Sequence, residues 1–228
     1  MGNRGKSRHI KSLASPKFFG IHRKEHKYVT KPNPGRHTLE RSVSVILALK
    51  KTGVADSTSA AVMILRSGNV LVNNRVIREA KFPIGLNDIL EIKGAGKAFK
   101  VSIESHAKIT FEEEKKPDYE SQVYRVIDKY KTTKGQIMLR LHDGSIARAS
   151  NEVKVNDSVI LDAKRSVKKV LNLGAGAECF VIKGVHVGKT GRIKTITPGT
   201  EKMEARAVVS PKSGEEFETI IKNLMVIS

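Results

Sequence analysis

The run Gly184-Val185-His186-Val187-Gly188-Lys189-Thr190 has the residue types that wrap a nucleotide phosphate, but three residues separate its glycines where a phosphate cradle needs four. Gly191 and an alternating stretch follow, so no helix stands ready to aim its N-terminal amides at a phosphate. Gly94-Ala95-Gly96-Lys97 departs in the same way, with Glu91 in place of the first glycine and Ala98 in place of the hydroxyl. Gly174-Ala175-Gly176 has Cys179 where a dinucleotide fingerprint has its third glycine. His22 and His26 have an i, i+4 spacing that could hold a metal, with no evident carboxylate or thiolate to complete the set. Beside Lys and Arg, the histidines of the first segment, His9, His22, His26 and His37, read better as contacts to phosphate or base. The lone thiol, Cys179, precedes the apolar Phe180-Val181-Ile182 and reads as a small core residue; one cysteine also excludes an internal disulfide and a cysteine-rich zinc site. No catalytic set, cofactor or metal is expected.

Arg140-Leu141-His142-Asp143-Gly144 resembles the Arg-Leu-x-Asp active-site sequence of pseudouridine synthases, but Asp143-Gly144 between alternating stretches is a hairpin turn, and no segment of catalytic-domain size remains. What the chain has in excess is positive charge. Its 228 residues carry 42 Lys and Arg against 23 Asp and Glu, a formal net charge of +19 that self-repels unless a polyanion lies near. Residues 1–41 alone hold 11 basic and 2 acidic side chains, so phosphates should be met mainly there. Trp is absent and aromatics make up 5%, so stacked bases cannot be the main mode of recognition. Phe18 and Phe19 inside the basic segment either wedge against RNA or dock the segment onto its own protein. No apolar run approaches the roughly 18 residues of a membrane span, and Lys6 stands where a myristoylation signal needs Ser or Thr. A cytoplasmic address is expected, without membrane, small-molecule substrate or homo-oligomer.

Residues 1–37 show no helical or strand period and are expected to form a basic arm without a core of its own, ordered only on RNA. Leu39, Val43, Ile46 and Leu47, with Thr38 as N-cap and Gly53 as stop, predict a helix. The Asp56/Ser57 cap, Ala61, Ile64, Leu65 and Gly68 predict a second, and Val70 to Val76 reads as two short strands turning at Asn73-Asn74. A turn at Gly85-Leu86-Asn87-Asp88 leads into a strand at Ile89–Ile92. Beyond Gly94 the pattern is β: alternation at Phe99, Val101 and Ile103, then strands at 123–127, 137–141, 153–155, 159–161, 167–171, 180–182, 192–196, 205–209 and 217–221. Asp143-Gly144 and Asn156-Asp157 read as hairpin turns, Glu112 to Asp118 as a solvated loop, and Leu173 to Gly176 as a joint. The expected fold class is α+β, mostly β. Its parts are a basic N-terminal extension (1–37), a helix-helix-hairpin domain (38–95), a central β domain (96–173) and a C-terminal β unit (174–228).

The stretch Leu65-Arg66-Ser67-Gly68-Asn69-Val70-Leu71-Val72-Asn73-Asn74-Arg75-Val76 resembles an S-four-type RNA-binding domain. Val181-Ile182-Lys183-Gly184 with Gly188, Gly191, Ile193 and Ile196 resembles a KOW motif, the strand, glycine turn and strand of small SH3-like barrels. Arg8-His9-Ile10-Lys11, Leu13 to Lys17, Pro34 to His37, Val153 to Asp157 and Asn223 to Ile227 complete an order, over essentially the whole chain, that resembles ribosomal protein S-four-e of the small subunit, with a short C-terminus like the archaeal form. The resemblance implies a structural, non-enzymatic constituent of the small (30S) subunit in the cytoplasm. It would bind 16S ribosomal RNA beside neighbouring small-subunit proteins, with the S-four-type domain, a central β domain and an SH3-like KOW barrel spread over the RNA. Carried over by position, Arg4, Lys6, Arg8, His9, Lys11 and Lys17 of the arm, with Arg66, Asn73, Asn74 and Arg75, are its candidate RNA contacts. Thr58 stands where related domains often carry Arg, and Lys50, Lys51, Arg66 and Arg78 are the cations that compensate. Two other classes stay open: an RNA-modifying enzyme or accessory factor carrying an S-four-type module, and a KOW-containing transcription factor that would associate with RNA polymerase.

Overall fold

The computed structural model describes residues 9–114, 119, 122–133, 135–150, 152–162, 165–200, 203–211 and 214–228. Two compact units form, one from the residues up to Ser102 together with the strand that starts at Lys108, the other from Ile103–Ala107 and the strands from Val123 onward.

In the first unit, β1 (Ile10–Lys11) pairs antiparallel with β2 (Tyr28–Val29), and two 3-10 turns, Ser12–Ala14 and Lys17–Phe19, lie between them. Phe18 and Phe19 are buried, and their turn packs against β3 (Ser42–Ser44) and β9 (Lys108–Glu114). The expectation of an arm without a core is therefore corrected for residues 9–37. Burying an aromatic side chain contributes about 1.5–3 kcal/mol, and two of them offset much of the entropy of ordering the segment around them. Arg4, Lys6 and Arg8 lie outside the described residues.

The first helix also begins later than its apolar period suggests. Leu39–Arg41 is a 3-10 turn, β3 pairs with β6 (Pro83–Gly85), and α1 covers only Val45–Lys51. Ser44 is the cap, its hydroxyl accepting the Leu47 amide at 3.4 Å. Thr38 makes no side-chain cap bond; its carbonyl accepts the Ser42 hydroxyl at 2.9 Å. Leu39 and Val43 fell in step with Ile46 by coincidence, because the β-branched Val43 is buried from a strand. The second helix stands as expected: α2 (Thr58–Arg66) is capped by the Ser57 hydroxyl on the Ala60 amide at 3.1 Å, and Gly68 follows at φ +76°.

β4 (Val70–Val72) and β5 (Arg75–Val76) form the expected hairpin, with Asn73 at φ +49° and Asn74 at φ +61°, the positive values a two-residue turn of this hand requires. With β7 (Ile89–Ile92) and β8 (Lys97–Glu104) they build a sheet in the order β5-β4-β7-β8-β9. The pairing of β7 with β8 carries the first unit's sheet past residue 95, the boundary the sequence suggested. Glu112, Glu113 and Glu114 belong to β9 rather than to a loop, and Lys97–Glu113 (4.0 Å) and Lys100–Glu114 (3.8 Å) pair opposite charges between β8 and β9. Residues 115–118 lie outside the described set.

Among the described residues the strand ladders of the second unit are antiparallel, and its helical turns are 3-10. β10 (Val123–Lys131), β11 (Ile137–Leu141), β12 (Ile146–Ala149), β13 (Ser158–Leu161) and β14 (Val167–Leu171) order as β12-β11-β10-β13-β14 around Val126, Leu139, Leu141 and Val159. β12 supplies the returning strand that the Asp143-Gly144 hairpin turn implied without a range, and it pairs along β11. Val153–Val155 is not a strand, and Asn156-Asp157 is not a hairpin turn but part of the crossing from β12 to β13 on the far side of β10. The Asp157 carboxylate explains this, since it accepts the amides of Lys154 and Leu173, both at 2.9 Å, and takes that backbone out of any ladder. A second sheet, β18-β17-β16-β15-β19, comprises β15 (Glu178–Val181), β16 (Thr190–Thr197), β17 (Arg206–Pro211), β18 (Phe217–Ile220) and β19 (Leu224–Val226). Cys179, Val181, Ile193, Val209 and Leu224 fill its core. The fold is mostly β with two α-helices among the described residues.

Asp88, 4% exposed, ties the first unit together. Its carboxylate meets His37 Nε2 at 2.8 Å and accepts the Gly85 amide at 2.9 Å and the Asn73 side-chain amide at 2.6 Å. Burial alone would raise its pKa, but the adjacent His37, the hydrogen bond from it, Arg36 and the Gly85 amide outweigh burial and hold the carboxyl below its ordinary value. A depressed carboxyl stabilises the fold fully above its unfolded pKa of about 4, and that contribution disappears as pH falls through the lower folded value. Asp88→Asn should therefore lose about 1–3 kcal/mol at neutral pH, and its deficit against the wild type should shrink below about pH 4, as read by urea unfolding across pH.

Candidate nucleic-acid interface

Two cations of the first unit, Arg66 and Arg78, lie where α2 ends. Arg66 closes the helix and is exposed, as are Arg75 in β5 and Arg78 beyond it. Arg78 lies over the same helix end, its guanidinium nitrogens 3.7 Å from the place a Cβ on Gly68 would take. A helix C-terminus carries partial negative charge and favours such a group. Among the described residues no ion pair engages Arg66, Arg75 or Arg78, so their charge is available to an external anion.

Asn73 and Asn74, equal candidates by sequence, part company in the structure. Asn74 is exposed at the hairpin tip. Asn73 donates to Asp88 and accepts the Ile89 amide at 2.9 Å, so its side chain braces the hairpin from within. His37, read as a phosphate or base contact, is likewise buried on Asp88.

Lys11 in β1 and Lys17 in its 3-10 turn are exposed, and the His9 ring lies 6.0 Å from that of Tyr28. Lys27 places its ammonium 5.6 Å from the same Tyr28 ring. Sequence reasoning passed over Lys27 and Tyr28, because the pairing of two-residue strands so far apart leaves no periodicity. Lys50 is exposed at the end of α1, while Lys51 is half-buried over Gly20, and burial, with Lys108 second, pushes its pKa down. His22 and His26 hold no metal-binding group with other ligands among the described residues.

In the second unit five surface cations are paired with carboxylates among the described residues. Arg140 meets Asp128 at 3.0 Å, Lys194 meets Glu216 at 2.9 Å, Arg206 meets Glu218 at 3.4 Å, Arg192 meets Glu178 at 3.7 Å, and Lys222 pairs with Glu204. The phosphate-loop look-alike is a turn between strands, with Gly184 at φ +95°, Gly188 at φ +85° and Thr190 opening β16. Asp143 accepts the Ser145 amide at 2.9 Å and its hydroxyl at 2.6 Å, the chemistry of a turn rather than an active site. Cys179 is fully buried, and burial pushes its thiol up to about 11, so it is inert core. These assignments separate bracing from contact: Asn73→Ala should cost about 1–3 kcal/mol in denaturant unfolding, whereas Arg75→Ala should change stability by no more than about 0.5 kcal/mol.

Comparison with known proteins finds three family models along the chain. The RS4NT (NUC023) domain matches residues 4–40, the S4 domain residues 46–90, and Ribosomal family S4e residues 95–166. Small ribosomal subunit protein eS4 of Methanocella arvoryzae is 32% identical over 221 residues, covering 96% of this chain and 93% of its own. Its counterpart in Methanospirillum hungatei is 30% identical over 227 residues, with 96% and 93% covered. The crystal structure of 30S ribosomal protein S4e from Thermoplasma acidophilum shares the fold, with a TM-score of 0.69 and 24% identity over 82% of this chain and 94% of that one. With two relatives at 30% identity or more aligned over 96% of its length, the chain belongs to the family of small ribosomal subunit protein eS4.

Proposed function

We propose that this chain is a structural, non-catalytic constituent of the small ribosomal subunit in the cytoplasm, binding its 16S ribosomal RNA beside neighbouring subunit proteins. The observation that carries this reading is the uneven compensation of charge. The first unit carries 23 Lys and Arg against 9 Asp and Glu, the second 19 against 14, and Arg66, Arg75, Arg78, Lys11, Lys17 and Lys50 are exposed on the first unit without ion pairs among the described residues. Uncompensated cations on a rigid S4-type scaffold suit a phosphate backbone, where each neutralised phosphate releases counterions. Arg4, Lys6, Arg8, His9 and Asn74 extend the proposed contact surface. In the second unit, β15, the glycine turn 184–188 and β16 follow the order of a KOW element, and we assign residues 174–228 to an SH3-like barrel of that type.

Sedimentation of a native lysate should place the protein with the small subunit and keep it there through a moderate salt wash. Migration at the top of the gradient at both low and moderate salt would refute the assignment, and co-migration with RNA polymerase would point to a transcription factor instead. On purified small-subunit RNA, the triple variant Arg66→Ala, Arg75→Ala, Arg78→Ala should bind more weakly and flatten the slope of log affinity against log salt by about 2 to 3. An unchanged slope would remove these three residues from the interface.

A further inference from the structure

The first unit holds a cleft of about 400 Å³ between its N-terminal segment and α1, within the range of roughly 300–1,000 Å³ typical of ligand sites. One part of its lining is apolar and aromatic, from Val29, Ile46, Leu47 and Tyr28; another is cationic or can become so, from His22, His26, Lys50 and Lys51, against a single carboxylate, Glu25. Lys51 is the telling member. It reaches the cleft because Gly20, at φ +56°, has no Cβ; one built there would sit 2.8 Å from the Lys51 ammonium and 3.6 Å from Lys108. A half-buried ammonium facing a second cation, with no ion pair among the described residues, is electrostatically unfavourable, which its lowered pKa reflects. An anion entering the cleft relieves that cost.

We infer that this cleft seats one unpaired nucleotide of the bound RNA, with its phosphate at Lys51 and Lys50 and its base against Tyr28 and the apolar wall. The inference rests on the RNA-binding function proposed above and specifies a site within it. A free phosphate ion has no use for Val29, Ile46 and Leu47, whereas a base does, and RNA loops offer splayed bases that stack on tyrosine or histidine. A fully paired helix keeps its bases in the stack and cannot enter. Thr58 lines the same cleft and adds a hydroxyl to it.

The test uses the full chain and the variants Leu47→Trp, which fills the cleft without changing charge, and Lys51→Met, each first shown to be folded by thermal unfolding. They are titrated with small-subunit ribosomal RNA and with a fully paired RNA duplex. Leu47→Trp should lose roughly tenfold in affinity for the ribosomal RNA, with its salt slope and duplex binding unchanged. Lys51→Met should also weaken binding and lower the slope by about 0.7–0.9. A folded Leu47→Trp protein that binds ribosomal RNA as tightly as the wild type overturns the inference; if that variant does not fold, Val29→Trp is read in the same way. A wild-type chain that binds no ribosomal RNA defeats the function proposed above, and the cleft is then judged by itself through backbone amide shifts at Tyr28 and Leu47. Shifts with uridine monophosphate that inorganic phosphate does not reproduce sustain a nucleotide site. No shift, equal shifts with both, or shifts only with an acidic peptide overturn it.

Discussion

A carboxylate out of water costs free energy unless donors surround it, and Asp88 draws its donors from segments that are distant in the chain. His37 arrives from the end of the N-terminal segment, Gly85 from β6 and Asn73 from the tip of the β4–β5 hairpin. Asn73 in turn accepts the amide of Ile89, so β7 is tied in as well. A shift of any one of these segments by a residue would leave a buried charge short of donors, which confines the unit to a single register. The arrangement also dictates a glycine: a Cβ on Gly85 would sit 2.5 Å from the His37 ring, so the ring reaches the carboxylate only across a residue without a side chain. Through this one group the position of Arg75, next to the hairpin turn, is coupled to that of the N-terminal segment that carries Lys11 and Lys17.

The two units differ in how much positive charge they leave uncancelled, with 23 basic against 9 acidic side chains in the first and 19 against 14 in the second. In the second, cations stand across strands from carboxylates, as Arg206 does from Glu218, and each exposed pair contributes about 0–1 kcal/mol to stability. Their larger effect is on the field outside, which they cancel locally. The first unit forgoes that cancellation where α2 ends and along its N-terminal segment, and accepts self-repulsion in the free protein. A polyanion converts the repulsion into attraction, so the imbalance is a binding determinant rather than a flaw in the surface.

What could be read in advance was whatever the chain encodes locally. α2 was legible because Ser57 and Gly68 mark its ends by their own chemistry, and the hairpin because two adjacent asparagines tolerate positive φ. The start of α1 was not, since β3 exists only by pairing with Pro83–Gly85, some forty residues on, and Val43 on a strand buries the same way it would on a helix. β12, Ile146-Ala147-Arg148-Ala149, has little intrinsic preference for extended structure and is held by β11. Asn73 and Asn74 are the same residue type in the same turn, and only the neighbouring Asp88 distinguishes a brace from an exposed tip. For Phe18 and Phe19 the composition allowed either a wedge into RNA or docking onto the protein, and the choice depends on β3 and β9, whose positions no local pattern reveals.

Phosphate contacts supply affinity but say nothing about position along an RNA, because every nucleotide offers the same phosphate. A chain without Trp and with aromatics at 5% has few ways to convert affinity into register. The cleft beside Tyr28 is suited to that conversion, since it combines a ring, an apolar wall and an uncompensated ammonium drawn from β2, α1 and the Gly20 turn. Phe18 and Phe19 are buried beside these elements, so the segment that looks like a loose basic arm in sequence forms one wall of the site. Seating one base there would pin the surrounding cations to particular phosphates. That division of labour, charge for strength and a single cleft for register, lets a protein poor in aromatics recognise one place on a large RNA.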